Sequence, residues 1–252
     1  MSTRPSKLKL ELLDKISYAG SDIISFKFTC SEYLQHPQDH LLDYKAGQYA
    51  IVDLGTKEDP EGPVRSFTLS SSPTEEGFIM ISTRIRDTPF KKKLAGLNVG
   101  SSVNVTAPLG KFTLHEDHLK PAVLLSGGIG VTPFRSMIKY AIDTKIPLKI
   151  TMFDANRNKE NILFKDEFDK WAKLNENVQI VYTLSDTQAD WNGEQGHINK
   201  KMITKYLTND ELDSSIFYIC GPPGMLKAME KLLQEDLGIP KQRIRTEQFI
   251  GY

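Results

Sequence analysis

The 252-residue sequence predicts two domains of different class: an antiparallel β-barrel over residues 1–117, then an α/β domain with a parallel sheet over residues 118–252. Three observations predict it. The first half carries short runs of strand-forming residues punctuated by Gly, Pro, Asp and Ser, the pattern of a small antiparallel barrel. The second half alternates buried apolar runs with amphipathic stretches, the pattern of a parallel sheet with helices on both faces. The length suits one large domain or two of ordinary size.

In the first half, Lys7–Leu13 and Ile23–Phe28 alternate apolar and polar residues, so each predicts a half-buried strand. Gln48–Asp53, Val64–Leu69, Phe78–Ser82 and Val103–Ala107 are further predicted strands. One helix interrupts them: Thr88 is a capping residue, Pro89 suits the first helical position, and FKKKLAGL follows. The lysines Lys91, Lys92 and Lys93 read as the wet face of that helix or as a docking patch for an acidic carrier. Beyond a boundary near His115–Pro121, the runs AVLLS, LKITMFDA, VQIVYTLS and SIFYICG predict strands. PFRSMIKYAI, FKDEFDKWAKL, KKMITKYL and MLKAMEKLLQEDL predict the helices between and after them.

Composition excludes several classes. Thirty-two basic residues balance thirty-two acidic ones, so no basic excess exists to neutralise a nucleic-acid backbone. The opening MSTRPSKLKLELL lacks the apolar core of a secretory signal, and no apolar run reaches membrane-spanning length. The two cysteines, Cys30 and Cys220, lie far apart, so a disulfide scaffold is not expected and a cytoplasmic location is. The five histidines are scattered; His115 and His118 read as surface residues, and no metal site is expected.

The stretch LLSGGIGVTPF, residues 124–134, joins a predicted strand to a predicted helix. Gly127, Gly128 and Gly130 would let backbone approach a ligand over the sheet's carboxyl edge, with Thr132 as N-cap and Pro133 as first helical residue. An ordinary tight turn is the other reading. A second compact loop, Cys220-Gly221-Pro222-Pro223-Gly224-Met225, follows a later strand and again precedes a helix. Two such loops at one sheet edge make a cleft.

Together, G-G-x-G-x-T-P and C-G-P-P-x-M resemble the pyridine-nucleotide domain of the ferredoxin–NADP reductase superfamily, which places a flavin-binding barrel first. Its flavin motif Arg-x-Tyr-Ser-x-x-Ser is similar to Arg65-Ser66-Phe67-Thr68-Leu69-Ser70-Ser71, and its ending near a Glu and an aromatic is similar to Glu247 and Tyr252. These motifs, in the family's order, cover nearly the whole chain.

The resemblance implies a flavin-dependent NAD(P)H oxidoreductase that passes electrons to an external acceptor: a ferredoxin, a flavodoxin, an oxygenase component or a small acidic carrier. It equally admits an electron-transfer subunit of a larger complex, or a reductase of free flavin or ferric chelates. FAD is the implied flavin, with FMN the alternative. Arg65 would pair with the flavin diphosphate, Phe67 would stack but lacks the family's hydroxyl, and Thr68 would bond near the flavin N5. Ser66, Leu69, Ser70, Thr83, Arg84, Pro89 and Phe90 complete the implied flavin set, with Thr88 either a diphosphate ligand or a plain cap. Val131, Met225 and the two glycine loops are implied to hold the nucleotide. Cys220 would position the nicotinamide, Glu247 would donate a proton, and Tyr252, on a tail returning to the flavin, would stack on it. Asp186 would repel a 2′-phosphate and accept from a ribose hydroxyl, which favours NADH; Arg157 argues for NADPH.

Overall fold

The computed structural model describes residues 5–30, 42–186 and 190–248. The chain divides into two compact units, Met1–Thr113 with Arg135–Tyr140, and Leu114–Phe134 with Ala141–Tyr252.

The first unit is an antiparallel barrel, as the alternating pattern predicts. Its strands are β1 (Ser6–Ser17), β2 (Ile23–Thr29), β3 (Tyr49–Asp53), β4 (Val64–Thr68), β5 (Ile79–Arg84) and β6 (Ser102–Leu109), with helix α1 (Pro89–Ala95) between the last two. They lie in the order β4-β3-β6-β1-β2-β5. The two edges then meet: Leu69 bridges Ile81, and Ser70 N donates to Met80 O at 2.7 Å. A register shift between Leu12 and Asp14 kinks the long β1, which helps it pair with both β2 and β6. Period-two alternation sends Leu10, Leu12, Phe26, Phe28, Val103 and Val105 inward to one core, each almost wholly buried. Each such side chain contributes about 1.5–3 kcal/mol by leaving water.

Helix α1 begins as predicted. Thr88 Oγ1 accepts from Lys91 N at 3.2 Å, and Pro89 stands in the first turn. Phe90 and Leu94, one turn apart, face the core. The reading of the three lysines needs correction. Lys92 and Lys93 are exposed, but Lys91 keeps only 9% of its surface. It follows Phe90 on the inner side of a helix that is short enough for neighbouring positions to be covered.

After the barrel strands come β7 (Ala122–Gly127), α2 (Thr132–Asp143), β8 (Ile150–Asn156), α3 (Lys165–Leu174), β9 (Val178–Leu184), β10 (Glu194–Gln195), α4 (Lys200–Tyr206), α5 (Asn209–Ser214), β11 (Ile216–Gly221), α6 (Pro223–Lys231) and β12 (Ile244–Gln248), all in the second unit except Arg135–Tyr140 of α2. Every strand pairing is parallel, in the order β10-β9-β8-β7-β11-β12. The chain therefore steps outward from β7, then returns to lay β11 on the other side of β7. That reversal is a topological switch point, where open α/β sheets form a crevice at their carboxyl edge. Both glycine loops leave the sheet there, one from β7 and one from β11.

Three features differ from expectation. Thr132 is not a cap: a 3-10 turn over Gly128–Val131 precedes α2, and the Thr132 hydroxyl donates to Ile129 O at 3.0 Å from helical backbone. His115 is not on the surface: its Nδ1 and backbone N lie 2.9 Å from the Tyr218 hydroxyl, and Nε2 lies 2.7 Å from Lys120 O. The segment IRTEQ is a strand, β12, although its polar composition hides this; it is a sheet edge, where solvent tolerates polar residues. No helix among the described residues is long and apolar enough to cross a membrane, and no cluster of metal-ligating side chains occurs among them.

Candidate functional site

In the barrel unit, β4 carries the run Arg65-Ser66-Phe67-Thr68. Arg65 and Phe67 share one face of the strand and lie over Phe90 of α1: the guanidinium is 5.1 Å from the Phe90 ring, and the two rings are 6.0 Å apart. Arg65 is occupied by its own loop. Its Nη1 donates to the carbonyls of Glu61, Gly62 and Val64 at 3.1, 2.9 and 2.7 Å. Its Nη2 meets Asp59 Oδ1 at 2.5 Å and Glu61 Oε2 at 3.1 Å. Asp59 in turn accepts from Phe90 N at 2.8 Å and Glu61 N at 3.0 Å. Burial pushes the Asp59 pKa up, but these donors outweigh it and hold the carboxyl below its usual range.

The rest of the set falls close by. Ser66 is exposed, Thr68 and Phe67 are buried, and Leu69 is fully inside the core. Ser70 Oγ donates to Met80 O at 3.1 Å and lies 3.0 Å from Ser82 Oγ, which fixes the turn after β4. Arg84 pairs with Asp22. Thr83 Oγ1 accepts from Lys91 Nζ, and that ammonium lies 4.6 Å from the Phe67 ring centroid. Lys91 is the residue sequence reasoning missed; its place directly after Phe90 in a short helix was the available signal.

In the second unit the glycine loops press against each other. A Cβ on Gly130 would lie 2.2 Å from Cys220 O and 2.8 Å from Gly221 Cα; one on Gly127 would lie 2.3 Å from Met225 Sδ. Gly128 stands at φ +53°, in the left-handed region. Val131, Thr132 and Pro133 are buried behind the first loop, while Pro222, Pro223 and Gly224 are exposed on the second. A backbone cradle thus sits at the switch point, with the start of the twelve-residue helix α2 beside it.

Cys220, the last residue but one of β11, is wholly buried and in register with Glu247 of β12. Burial, with Glu247 adding repulsion, pushes the Cys220 thiol far above its ordinary pKa, so it is no thiolate nucleophile. Burial also raises the Glu247 carboxyl. Asp186 is exposed, and its Oδ2 accepts from Arg157 Nε at 3.3 Å, so the two residues that argue for opposite nucleotides are an ion pair. Tyr252 lies outside the described residues, as does the tail from residue 249.

The comparisons agree with both halves. Residues 9–114 match the oxidoreductase FAD-binding domain and residues 124–231 the oxidoreductase NAD-binding domain. NADH-cytochrome b5 reductase 1 of Aspergillus clavatus is 31% identical over 83% of this chain and 69% of its own length. The chain belongs to the ferredoxin–NADP reductase superfamily. Another relative, the flavohemoprotein of Bacillus subtilis, is 30% identical over 87% of this chain but only 55% of its own. The ferredoxin NADP+ reductase of Neisseria gonorrhoeae, solved with FAD and NADP, shares the fold with TM-score 0.77 at 18% identity, covering 96% of this chain and 98% of that one. As a member of this superfamily the chain is an FAD- and NAD-dependent oxidoreductase. Its residues fit both groups. The barrel offers a buried ammonium with no carboxylate partner among the described residues, and the α/β unit offers a glycine cradle that side chains would fill.

Proposed function

We propose that this chain is an NADH-using reductase that delivers electrons to a separate protein acceptor. The observation that carries the reading is the pair of glycine loops packed together at the β7/β11 switch point, in a chain whose preceding unit is a flavin-type barrel. A bound flavin would supply the redox chemistry, a two-electron exchange with nicotinamide and one- or two-electron delivery to an acceptor. The protein's part is position and charge. Backbone N–H groups of the Gly127–Val131 turn and of α2 bind the nucleotide diphosphate. The Thr68 hydroxyl bonds the flavin ring, and Thr88 and Pro89 line its approach; Phe90, implied for that set, lies wholly in the barrel core instead. Cys220, neutral and buried, sets where the nicotinamide rests. Glu247, its carboxyl raised by burial, is the candidate proton donor.

Anaerobic titration with NADH and then NADPH, followed by the visible flavin absorbance, tests this. Bleaching by NADH at lower concentration is expected; a flavin band that neither nucleotide bleaches would overturn it. The names of relatives, a cytochrome b5 reductase and a flavohemoprotein, favour a haem protein as acceptor over a ferredoxin or flavodoxin. Parallel rates with cytochrome b5 and with a ferredoxin would decide.

Asp186 supports NADH. Its carboxylate would oppose a 2′-phosphate, and Arg157 is neutralised by it. Asp186→Arg removes the negative charge and frees Arg157, so the ratio of kcat/KM for NADPH over NADH should rise about tenfold or more. An unchanged ratio would move the choice of nucleotide elsewhere.

A further inference from the structure

Strand β4 ends at Thr68, and the buried carbonyls just beyond it are taken by side chains. Arg135 Nη1 donates to Ser70 O at 2.8 Å. Ser136 Oγ and Tyr44 Oη donate to Ser71 O at 2.6 and 3.0 Å. Arg135 and Ser136 stand one turn into α2, in the segment Arg135–Tyr140 that belongs to the barrel unit.

Arg135 does more than satisfy a carbonyl. It keeps only 3% of its surface, and its guanidinium grips Glu75 at both ends. Nη1 lies 2.8 Å from Glu75 Oε2, and Nη2 lies 3.0 Å from Oε1. Glu75 Oε2 also accepts from Ser72 N at 2.7 Å. Burial pushes the Glu75 pKa up, but Arg135 outweighs it, with Ser72 N and Lys139 adding to the effect, and the carboxyl is held below its usual range. One planar fork thus fixes Ser70 directly and Ser72 through Glu75.

A buried ion pair is a poor source of stability. Desolvation offsets much of its attraction, and apolar side chains of similar volume often serve as well. What the fork adds is geometry, because a bidentate pair bonds in one orientation. The backbone it fixes begins two residues after Thr68.

We propose that Arg135 and Glu75 are positioning residues of the reductase reaction: their fork holds the Ser70–Ser72 backbone and, through it, sets where the Thr68 hydroxyl meets the flavin ring. The proposal rests on the flavin reading of β4 given above. A misplacement of about one Ångström costs a reaction about a hundredfold in rate. Removing the pair should therefore slow the reaction while leaving the fold in place.

The test compares the wild type with the double variant Arg135→Met, Glu75→Leu, which leaves neither charge buried without the other. Melting temperature and flavin content should stay close to wild type. In the flavin-stripped protein, amide hydrogen exchange at Leu69 and Ser70 should quicken about tenfold or more, although their acceptors, Gln48 O and Met80 O, are untouched. In the flavin-loaded protein, reduction at saturating NADH, measured per bound flavin, should slow about ten- to hundredfold, while the half-saturating NADH concentration stays within about threefold. Arg135→Lys keeps the charge without the fork and should slow reduction by a smaller factor. It carries the test alone should the double variant lose its flavin. Wild-type rates with unchanged exchange would overturn the proposal. So would a lower melting temperature or flavin content in both variants with full rate on the flavin that remains, which is what a purely structural pair would give. In either case a wild type that NADH reduces leaves the reductase reading standing. A wild type whose flavin neither nucleotide bleaches would refute that reading, and the proposal with it.

Discussion

Gly130→Ala should abolish tight nucleotide binding while leaving flavin content near normal. The added Cβ would stand 2.2 Å from the carbonyl oxygen of Cys220, 2.6 Å from its carbon and 2.8 Å from Gly221 Cα. All three are backbone atoms, so no rotamer change relieves the contact. The carboxyl ends of β7 and β11 have to move apart, and the cradle at the switch point opens. Overpacking of this kind destabilises by about 1–3 kcal/mol, and an Ångström-scale displacement of a binding loop lowers affinity by a further ten- to hundredfold. Calorimetric titration with NAD+ and the flavin absorbance of the purified variant separate the two effects. Wild-type affinity in Gly130→Ala would show that the loops do not hold the nucleotide.

Much of this fold was legible because two periodicities carry it. Alternation along Lys7–Leu13 marks one buried face, and the structure buries it; in β2 it buries Ile23 and Ser25 on one face as well as Phe26 and Phe28 on the other. The shift to apolar runs at AVLLS marks strands covered on both sides, and all six residues of β7 are buried. What escaped was set by neighbours rather than by pattern. Ile244–Gln248 has too few apolar residues to read as a strand, and it pairs only because β11 presents an open edge. Thr132 has the composition of a cap, but the 3-10 turn before it supplies the helix start, so its hydroxyl turns back to a carbonyl.

The site was legible in kind and less so in wiring. The glycine loops announced themselves because only glycine allows backbone to approach so closely. Arg65 was visible as a motif residue, but its engagement with Asp59 and Glu61 was not, since those acids precede it in a loop with no periodicity. Lys91 was hidden by its two exposed neighbours: a run of three lysines reads as solvent-facing, and only packing under Phe67 and Thr83 reveals otherwise.

Asp154→Asn should flatten the pH dependence of stability in the α/β unit and raise stability above pH 7. Asp154, in β8, is fully buried; its Oδ1 accepts from Ser126 Oγ at 2.5 Å and its Oδ2 from Asn156 Nδ2 at 2.8 Å. Neither partner carries charge. Burial raises the pKa from 3.8 to about 7, and these two donors only partly offset it. The folded pKa thus exceeds the unfolded one. Between those values the folded chain keeps a proton that the unfolded chain releases, so stability falls as pH rises from about 4 to about 7 and then levels off. A gap of this size corresponds to roughly 4 kcal/mol. Asparagine cannot ionise, so the variant should match wild type near pH 4 and exceed it above pH 7. Asn156 Oδ1, buried without a partner, fits the protonated state, because turning the amide would let it accept the Asp154 proton. The consequence reaches the cradle. Asp154 pairs with Ser126, the residue before Gly127, so its ionisation places a negative charge with no cationic partner next to the loop proposed to bind the nucleotide diphosphate. NADH affinity should then decline above pH 7 in the wild type and hold steady in Asp154→Asn. Urea melts and NADH titrations from pH 5 to pH 9 check both; parallel curves for the two proteins would mean that Asp154 stays in one protonation state throughout.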